Sequence, residues 1–335
     1  MTILVTGGAG FIGSHFIHYW LETYPNDMVV NLDKLTYAGN LLNLQDVEHD
    51  PRYRFVKGDV ADRELVFNLV KDVDVIVHFA AESHVDRSIM SAEDFIHSNV
   101  LGTSVLLDAA KAHGGKRFHH VSTDEVFGAL GPDDPPFDEH TPYAPRNPYA
   151  ATKAASDHLV RAAFHTHGLP ITISNCTNNY GPFMFPEKFM PLFICNLLEG
   201  KKVPVYGDGL QKRDWIWVRD HCRGIEAVLQ KGKIGETYCF GGEKNKTNLE
   251  VVRMLLELTG RDESFIEHVK DRAGHDRRYE MNYAKAQAEL GWEPCVGLHE
   301  GLKEMVAWYK HHPDWIDQCR SGAYREYYEK QYVTR

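Results

Sequence analysis

The chain has 335 residues, 25% charged and 43% hydrophobic, enough for a large buried core in one big domain or two smaller ones. A net charge of −10 argues against nonspecific adhesion to nucleic acid or to an anionic membrane, and no apolar run approaches the roughly 20 residues of a membrane helix. Six cysteines (Cys176, Cys195, Cys222, Cys239, Cys295, Cys319) are scattered without a CxxC, and the N-terminus runs straight into a strand without a secretory pattern, so reduced thiols and a cytoplasmic location are expected.

Residues 3–6 read as a first buried strand, and TGGAGFIGS (6–14) follows it and opens a helix. Gly7, Gly10 and Gly13 stand at G-x-x-G-x-x-G spacing. Glycine permits the tight turn and lets the backbone approach a pyrophosphate, which the free N–H groups and positive dipole end of the helix would hold. Alone the pattern is weak, because glycines also serve ordinary turns. Residues 28–32 form a second strand closed by Asp33, about 20 residues beyond the glycines, where a carboxylate accepts from the adenosine ribose hydroxyls. That carboxylate repels a 2′-phosphate, so NAD is favoured over NADP, a preference that the neighbouring Lys34 moderates. Residues 54–57 are a third strand. Asp59 in KGDV then stands either to meet the adenine or simply in a turn.

A helix at 64–70, a strand at 73–79, a helix at 99–113 and a strand at 117–122 continue the βα rhythm. The next stretch, VSTDEVFG, places Thr123, Asp124 and Glu125 where an apolar strand runs out. On a regular strand, residues 124 and 125 point to opposite faces. A site using both needs the strand to end and turn there, which Gly128 and Gly131 permit; the plainer alternative is a solvated acidic loop. Asn147 can cap a further helix, Pro148 suits its first turn, and Gly168 with Pro170 ends it. YAATK puts Tyr149 and Lys153 one turn apart on one face of that helix. An ammonium near a phenol lowers a pKa that is ordinarily about 10, so the tyrosine can take a proton from a substrate hydroxyl. Thr123 can hydrogen-bond the same hydroxyl. A lone YxxxK is common on helix surfaces; beside the glycine loop and a threonine at a strand end it points to catalysis.

After a sixth strand at 170–175 the rhythm weakens, and residues 180–209 and 242–335 carry more Gly, Pro and charge. The fold expected is α/β: a Rossmann-type doubly wound parallel sheet over 1–175, with a smaller mixed C-terminal substrate-binding domain over 176–335. Residues 206–240 are expected to return strands and a helix to the first domain. The 19 histidines, His119-His120, His165-Thr-His167 and His311-His312 among them, lack the spacing that puts two ligands on one helix face, so no metal is expected.

The blocks LVTGGAGFIGS, NLDKLTYAGNL, HFAAESHVDRS, VSTDEVFG, NPYAATKAASDHLVRA, NNYGPFMFPEK, GDGLQKRDW and DRAGHDRRY span essentially the whole chain. In these the sequence resembles the extended short-chain dehydrogenase/reductase family, and within it the nucleotide-sugar 4,6-dehydratases. The last four blocks are far more specific than the glycine loop. Three positions depart from the family pattern: Phe127 and Trp217 stand where tyrosine is usual, and Ala273 where proline is usual. The resemblance implies NAD as cofactor, tightly bound and regenerated each turnover, and dTDP-glucose as substrate, with UDP-glucose the alternative. Tyr149 would deprotonate the 4-hydroxyl as hydride leaves carbon 4, water would leave across carbons 5 and 6, and the same hydride would return to carbon 6. Asp124 would be the acid and Glu125 the base of that elimination, as two neighbouring carboxylates titrate as a coupled pair.

By the same resemblance Phe11, Ile12, Lys34, Leu35, Thr36, Val60, Phe79, Ala80, Ala81, Ser98 and Asn179 line the cofactor site. Ser83, Asn178, Glu187, Lys188, Asn248 and His275 line the substrate site, Ser83 touching both. Arg213 and Arg272 are candidates to grip the diphosphate. A sugar-nucleotide 4-epimerase would share the glycine loop, Tyr149 and Lys153 without needing the acidic pair. A UDP-glucuronate decarboxylase would need a grip on the sugar carboxylate, and a non-catalytic NAD-binding regulator would need none of Thr123, Tyr149 and Lys153. A homodimer is expected, with Val100, Leu101, Val105, Leu106, Ala154, Ala155, Leu159 and Ala162 offering apolar faces on two helices.

Overall fold

The computed structural model describes residues 1–271 and 276–320, the side chains of residues 243–245 excepted. Six strands alternate with helices in the first half: β1 (Thr2–Thr6), β2 (Met28–Asp33), β3 (Tyr53–Lys57), β4 (Val75–His78), β5 (Arg117–Thr123) and β6 (Ile171–Cys176). Six more follow: β7 (Asn178–Tyr180), β8 (Val203–Tyr206), β9 (Lys212–Trp217), β10 (Thr237–Phe240), β11 (Glu243–Thr247) and β12 (Ile266–Val269). Among the described residues, seven strands form one sheet in the order β10-β6-β5-β4-β1-β2-β3, every neighbouring pair parallel. Parallel strands covered on both faces read as continuous apolar runs, and β1 and β4 do. Alternate residues of β1 enter opposite cores. Ile3 and Val5 pack with Phe16 and Trp20, and Leu4 packs with Ile76, Val105, Leu106 and Phe118.

Strand order reverses between β1 and β4, and a crevice opens at such a switch point beyond the carboxyl ends of the strands. Gly7, Asp33 and Thr123 all stand at those ends. A second, smaller layer is built from the three-stranded sheet β11-β9-β7 and the parallel pair β12-β8. Its core joins Tyr180, Trp215 and Trp217 to Leu255, Leu302 and Met305. The stretch 206–240 divides rather than returning whole to the large sheet. β9 pairs with β7 and β11, whereas the Val218–Lys231 helix packs beside the Phe11–Thr23 helix and β10 extends the large sheet.

The helix expected over 99–113 starts earlier. A short Glu93–Phe95 turn runs through a π-helical segment, Ile96–Leu101, into Gly102–Ala112. The widened turn has a local cause. Asn99, inside it, exchanges hydrogen bonds with the Glu82 backbone and donates to Thr152 Oγ1 at 2.9 Å. Gly102 lies against Val60, where an added Cβ would come within 2.5 Å of a methyl group. Of the residues expected to present an apolar face outward, Val105 and Leu106 instead pack into the sheet core and Ala154 is buried beside Phe127. The large apolar side chains exposed nearby are Ile89, Met90, Ile96 and Leu101.

The helix Pro148–His167 begins as the sequence suggests. Asn147 Oδ1 accepts from the Ala150 N–H at 2.8 Å, and Gly168, at φ +64°, closes the helix in the left-handed region. All six cysteines are free, and only Cys295 is exposed. No helix of the described residues is long and apolar enough to cross a membrane.

Candidate active site

The glycine loop is a cradle with no room for side chains. Gly7 sits at φ +72°, and a Cβ there would come within 2.7 Å of the Ala80 backbone. At Gly13 a Cβ would lie 2.4 Å from the Gly7 carbonyl oxygen. The Phe11–Thr23 helix starts at Gly10 with no side chain capping it, which leaves its first N–H groups for an anion. Asp33 accepts from the N–H groups of Ala9 (2.9 Å) and Leu35 (2.8 Å), so its carboxylate is held at the rim although burial raises its pKa. Lys34 is engaged elsewhere, at 2.7 Å from Asp59. Asp59 also meets His97 (2.9 Å) and the Ala61 N–H (2.8 Å). Burial opposes its charge, but these partners bring its pKa below the ordinary value. Asp59 thus serves its turn and also neutralises Lys34, the cation that would otherwise attract a 2′-phosphate.

VSTDEVFG makes the turn the acidic pair requires. β5 ends at Thr123, whose hydroxyl accepts the Glu125 N–H at 3.2 Å and starts a 3₁₀ turn, Asp124–Phe127. Gly128, at φ +94°, ends it against the Ala144 carbonyl, where a Cβ would come within 2.7 Å. Asp124 is 1% exposed and accepts from Thr177 Oγ1 (3.1 Å) and Thr123 Oγ1 (3.2 Å). Burial, then the Glu125 charge, push its pKa up to about 7. Glu125 is raised by burial too, but Asn147 donates to it at 3.1 Å, and Lys188 and Arg213 oppose the rise. Asn147 therefore caps the helix with its oxygen and steadies Glu125 with its nitrogen.

Tyr149 departs from expectation. Burial and the Glu125 charge hold its phenol well above the ordinary value, against a hydrogen bond to Thr123. Lys153 donates to the Val121 carbonyl at 2.9 Å, and burial brings its ammonium down to about 8. The i,i+4 pair shares a face as read, but desolvation sets the direction in which the phenol moves.

A cavity of about 490 Å³ connects these groups. Gly7, Gly10, Phe11, Ile12, Gly13, Asp33, Lys34, Thr36, Asp59, Val60, Phe79, Ala80, Ala81 and Ser98 line one end, and Thr123, Asp124, Glu125, Tyr149 and Lys153 the middle. Asn178 and Asn179 join them, with Ser83, Glu187, Lys188, Arg213 and Asn248 lining the other end. Leu35 is not among the lining residues; its backbone, at φ +57°, turns the chain around Asp33. Arg272 and His275 lie outside the described residues, as does Ala273. Lys188 reaches across to the Ser83 carbonyl at 3.2 Å. Arg213 stacks 4.7 Å over the Tyr279 ring and donates to the Asp276 carbonyl at 3.0 Å.

Lining side chains that sequence reasoning passed over include Tyr37, His84, Phe183 and Trp215. Beside them Arg87 stacks 4.0 Å over Tyr37 and lies 3.6 Å from the buried Glu187. His84 and Arg87 stand inside the HFAAESHVDRS block, but no periodicity marks them, since a six-residue helix, Val85–Met90, and its N-cap His84 deliver them. Phe127 packs on Phe137 and Tyr143, each at 5.2 Å, and Trp217 on Tyr180 at 5.3 Å. Both departures from the family pattern thus fall in packing positions. The cradle, the free helix terminus and the rim carboxylate together fit a dinucleotide.

Comparison with known proteins agrees in detail. The family model described as GDP-mannose 4,6 dehydratase matches residues 4–305. A dTDP-glucose 4,6-dehydratase of Neisseria meningitidis is 49% identical over 346 residues, covering 96% of this chain and 97% of the relative. A dTDP-glucose 4,6-dehydratase from Streptomyces venezuelae, solved with NAD and dTDP bound, superposes with a TM-score of 0.92 at 49% identity, covering 95% of this chain and 100% of that one. A UDP-glucose 4-epimerase from Thermotoga maritima superposes at 0.87 with 29% identity, covering 93% and 100%.

Proposed function

We infer from one premise, that the chain belongs to the dTDP-glucose 4,6-dehydratase family, that it is an NAD-dependent hydro-lyase converting dTDP-glucose to dTDP-4-keto-6-deoxyglucose and water. The observation that carries this reading over an epimerase is the buried Asp124–Glu125 pair beside Tyr149, the aspartate holding its proton up to about pH 7. Oxidation at carbon 4 and its reversal need one proton acceptor. Elimination needs a second base and an acid.

Bound NAD supplies the chemistry the side chains lack, accepting hydride from carbon 4 and returning it to carbon 6. Tyr149 takes the 4-hydroxyl proton, with Thr123 hydrogen-bonded to the same oxygen. The 4-ketone acidifies carbon 5, and Glu125 removes that proton. Asp124 gives its proton to the 6-hydroxyl, which leaves as water, and Glu125 returns its proton to carbon 5 as carbon 6 is reduced. Lys188, between β7 and the Phe189–Leu198 helix, and Arg213, on β9, hold the nucleotide diphosphate and sugar, so residues 1–175 serve the cofactor and 176–335 mainly the substrate. The exposed side chains Ile89, Met90, Ile96 and Leu101 beside the Pro148–His167 helix support a homodimer through that face. Six free thiols suit the cytoplasm.

Incubation with dTDP-glucose, read by the absorbance of the 4-keto-6-deoxy product in alkali, tests the reading. UDP-, CDP- and GDP-glucose run in parallel test the base. Product from dTDP-glucose is expected without net consumption of NAD. Formation of the 4-epimer alone would overturn the assignment.

A further inference from the structure

Behind Lys153, on the side away from the cavity, lies a buried polar cluster that the reaction as read above does not use. Lys153 and Asp157 are one helical turn apart and 4% and 0% exposed. His120, fully buried on β5, lies between them. Its Nε2 is 3.3 Å from Lys153 Nζ and 3.2 Å from Asp157 Oδ1. One ring nitrogen cannot donate to the carboxylate and accept from the ammonium at once, and Nδ1 of the same ring is buried without a hydrogen-bond partner. Three donors converge on the other oxygen of Asp157: Tyr143 Oη (2.7 Å), Ser122 Oγ (2.9 Å) and Asn175 Nδ2 (3.4 Å). Arg161 donates to Tyr143 Oη at 2.8 Å and continues the chain to the half-buried surface.

We propose that Asp157, acting on Lys153 directly and through His120, is a positioning residue that keeps Lys153 charged and thereby sets the pH range over which Tyr149 accepts a proton. The proposal rests on the reading of Tyr149 as base of the first step.

The groups around Lys153 leave Asp157 as its counter-ion. His78 approaches from β4, its ring 5.3 Å from that of His120, and burial keeps both imidazoles neutral. Cys176 approaches from β6 with its thiol pushed up to about 12 by burial. Burial and the Glu125 charge raise the phenol of Tyr149, on the same helix, and a positive charge on Lys153 would favour the phenolate that the first step needs. His119 points to the other face of the sheet, bonded to Thr172 and Ser174. Only Asp157 carries a negative charge in that set, its donors holding it ionised against burial. A buried ammonium with one anion near it depends on that anion, because an opposite charge within about 4–6 Å moves a pKa by roughly 1–3 units.

The test is the pH profile of NADH formation when the NAD-loaded enzyme meets dTDP-glucose in a stopped-flow cell. In Asp157→Asn the ammonium loses its partner, so the alkaline limb moves down by about 1 pH unit or more. Asp157→Glu restores the limb. His120→Gln, which leaves the two charges without the bridging ring, moves it the same way by less, and carries the test should Asp157→Asn not fold. A folded Asp157→Asn or His120→Gln variant with the wild-type limb overturns the proposal, and so does a uniform loss of rate with an unmoved limb. The family reaction is checked first on the wild type. Absence of the keto product there at every pH would defeat the function, whereas an active wild type with unshifted variants defeats only the role of Asp157.

Discussion

Asp124 and Glu125 are adjacent in the chain, yet their surroundings assign them different protons. Asp124 takes its hydrogen bonds from two hydroxyls, while Glu125 takes one from the Asn147 amide and faces Lys188 and Arg213. Environment, not residue type, thus separates acid from base. Glu125→Gln is expected to keep the first oxidation and lose the second base, so mixing with dTDP-glucose produces NADH that persists while product forms about 10²–10⁴-fold more slowly. Tyr149→Phe lacks the first base and should produce no NADH. Stopped-flow absorbance distinguishes them, and wild-type turnover in Glu125→Gln would remove Glu125 from the elimination. Asp124 also makes a prediction about stability. Its pKa in the folded protein is raised from 3.8 to about 7, so folding binds its proton more tightly. The stability this contributes is full below about pH 4 and is lost as pH rises through 7. Asp124→Asn removes the buried charge and should melt higher than wild type at pH 8, by an amount on the order of a few kcal/mol, and close to wild type at pH 4. A variant that melts lower at pH 8 would show that the carboxylate stabilises the fold.

At the scale of elements, the start of the Pro148–His167 helix carries both a cap and a catalytic contact in one side chain. Asn147→Ala removes the cap at a cost of about 0.5–2 kcal/mol and frees Glu125 of its amide donor. Asn147→Asp keeps a cap oxygen but sets a second carboxylate 3.1 Å from Glu125 where the amide stood. The expected result is a split. Thermal unfolding drops most for alanine, whereas activity near neutral pH drops most for aspartate. Equal loss of activity in both would mean that the cap alone matters. The glycine loop gives a second test. Gly13→Ala forces a Cβ to within 2.4 Å of the Gly7 carbonyl, so the helix must lift from the turn that meets the dinucleotide. Purified Gly13→Ala is expected to retain far less NAD than wild type, measured by absorbance of the denatured supernatant. Full retention would show that the loop relaxes without cost.

For the whole molecule, four large apolar side chains remain beside the helices 85–112: Ile89 at 64%, Met90 at 71%, Ile96 at 53% and Leu101 at 48% exposure. Singly exposed apolar residues are ordinary; a group on one face is a reason to expect a partner. A second copy of the chain covers it in the homodimer proposed above. Light scattering at micromolar concentration should give twice the monomer mass, and Ile96→Asp with Leu101→Asp should give the monomer with its helical circular dichroism retained. A wild-type monomer would leave the face unexplained.

Sequence alone determined the alternating βα order, the glycine loop, the Asn147 cap and the spacing of Tyr149 to Lys153. All of these depend on contacts a few residues long, where backbone geometry and helix period act directly. It also named many of the residues that line the cavity, because their blocks are short and stand near strand ends, but it passed over Tyr37, His84, Phe183 and Trp215 and included Leu35, which does not line it. Tertiary structure decided the rest. It showed that β9 leaves the large sheet and that Val105, Leu106 and Ala154 face inward. It widened the helix at Asn99 and turned Lys34 to Asp59. It reversed the expected direction of the Tyr149 pKa, since desolvation depends on everything packed around the phenol and no spacing along the chain encodes it. It also brought His120 of one strand between Lys153 and Asp157 of a helix, a neighbourhood created only when the sheet and its covering helix pack.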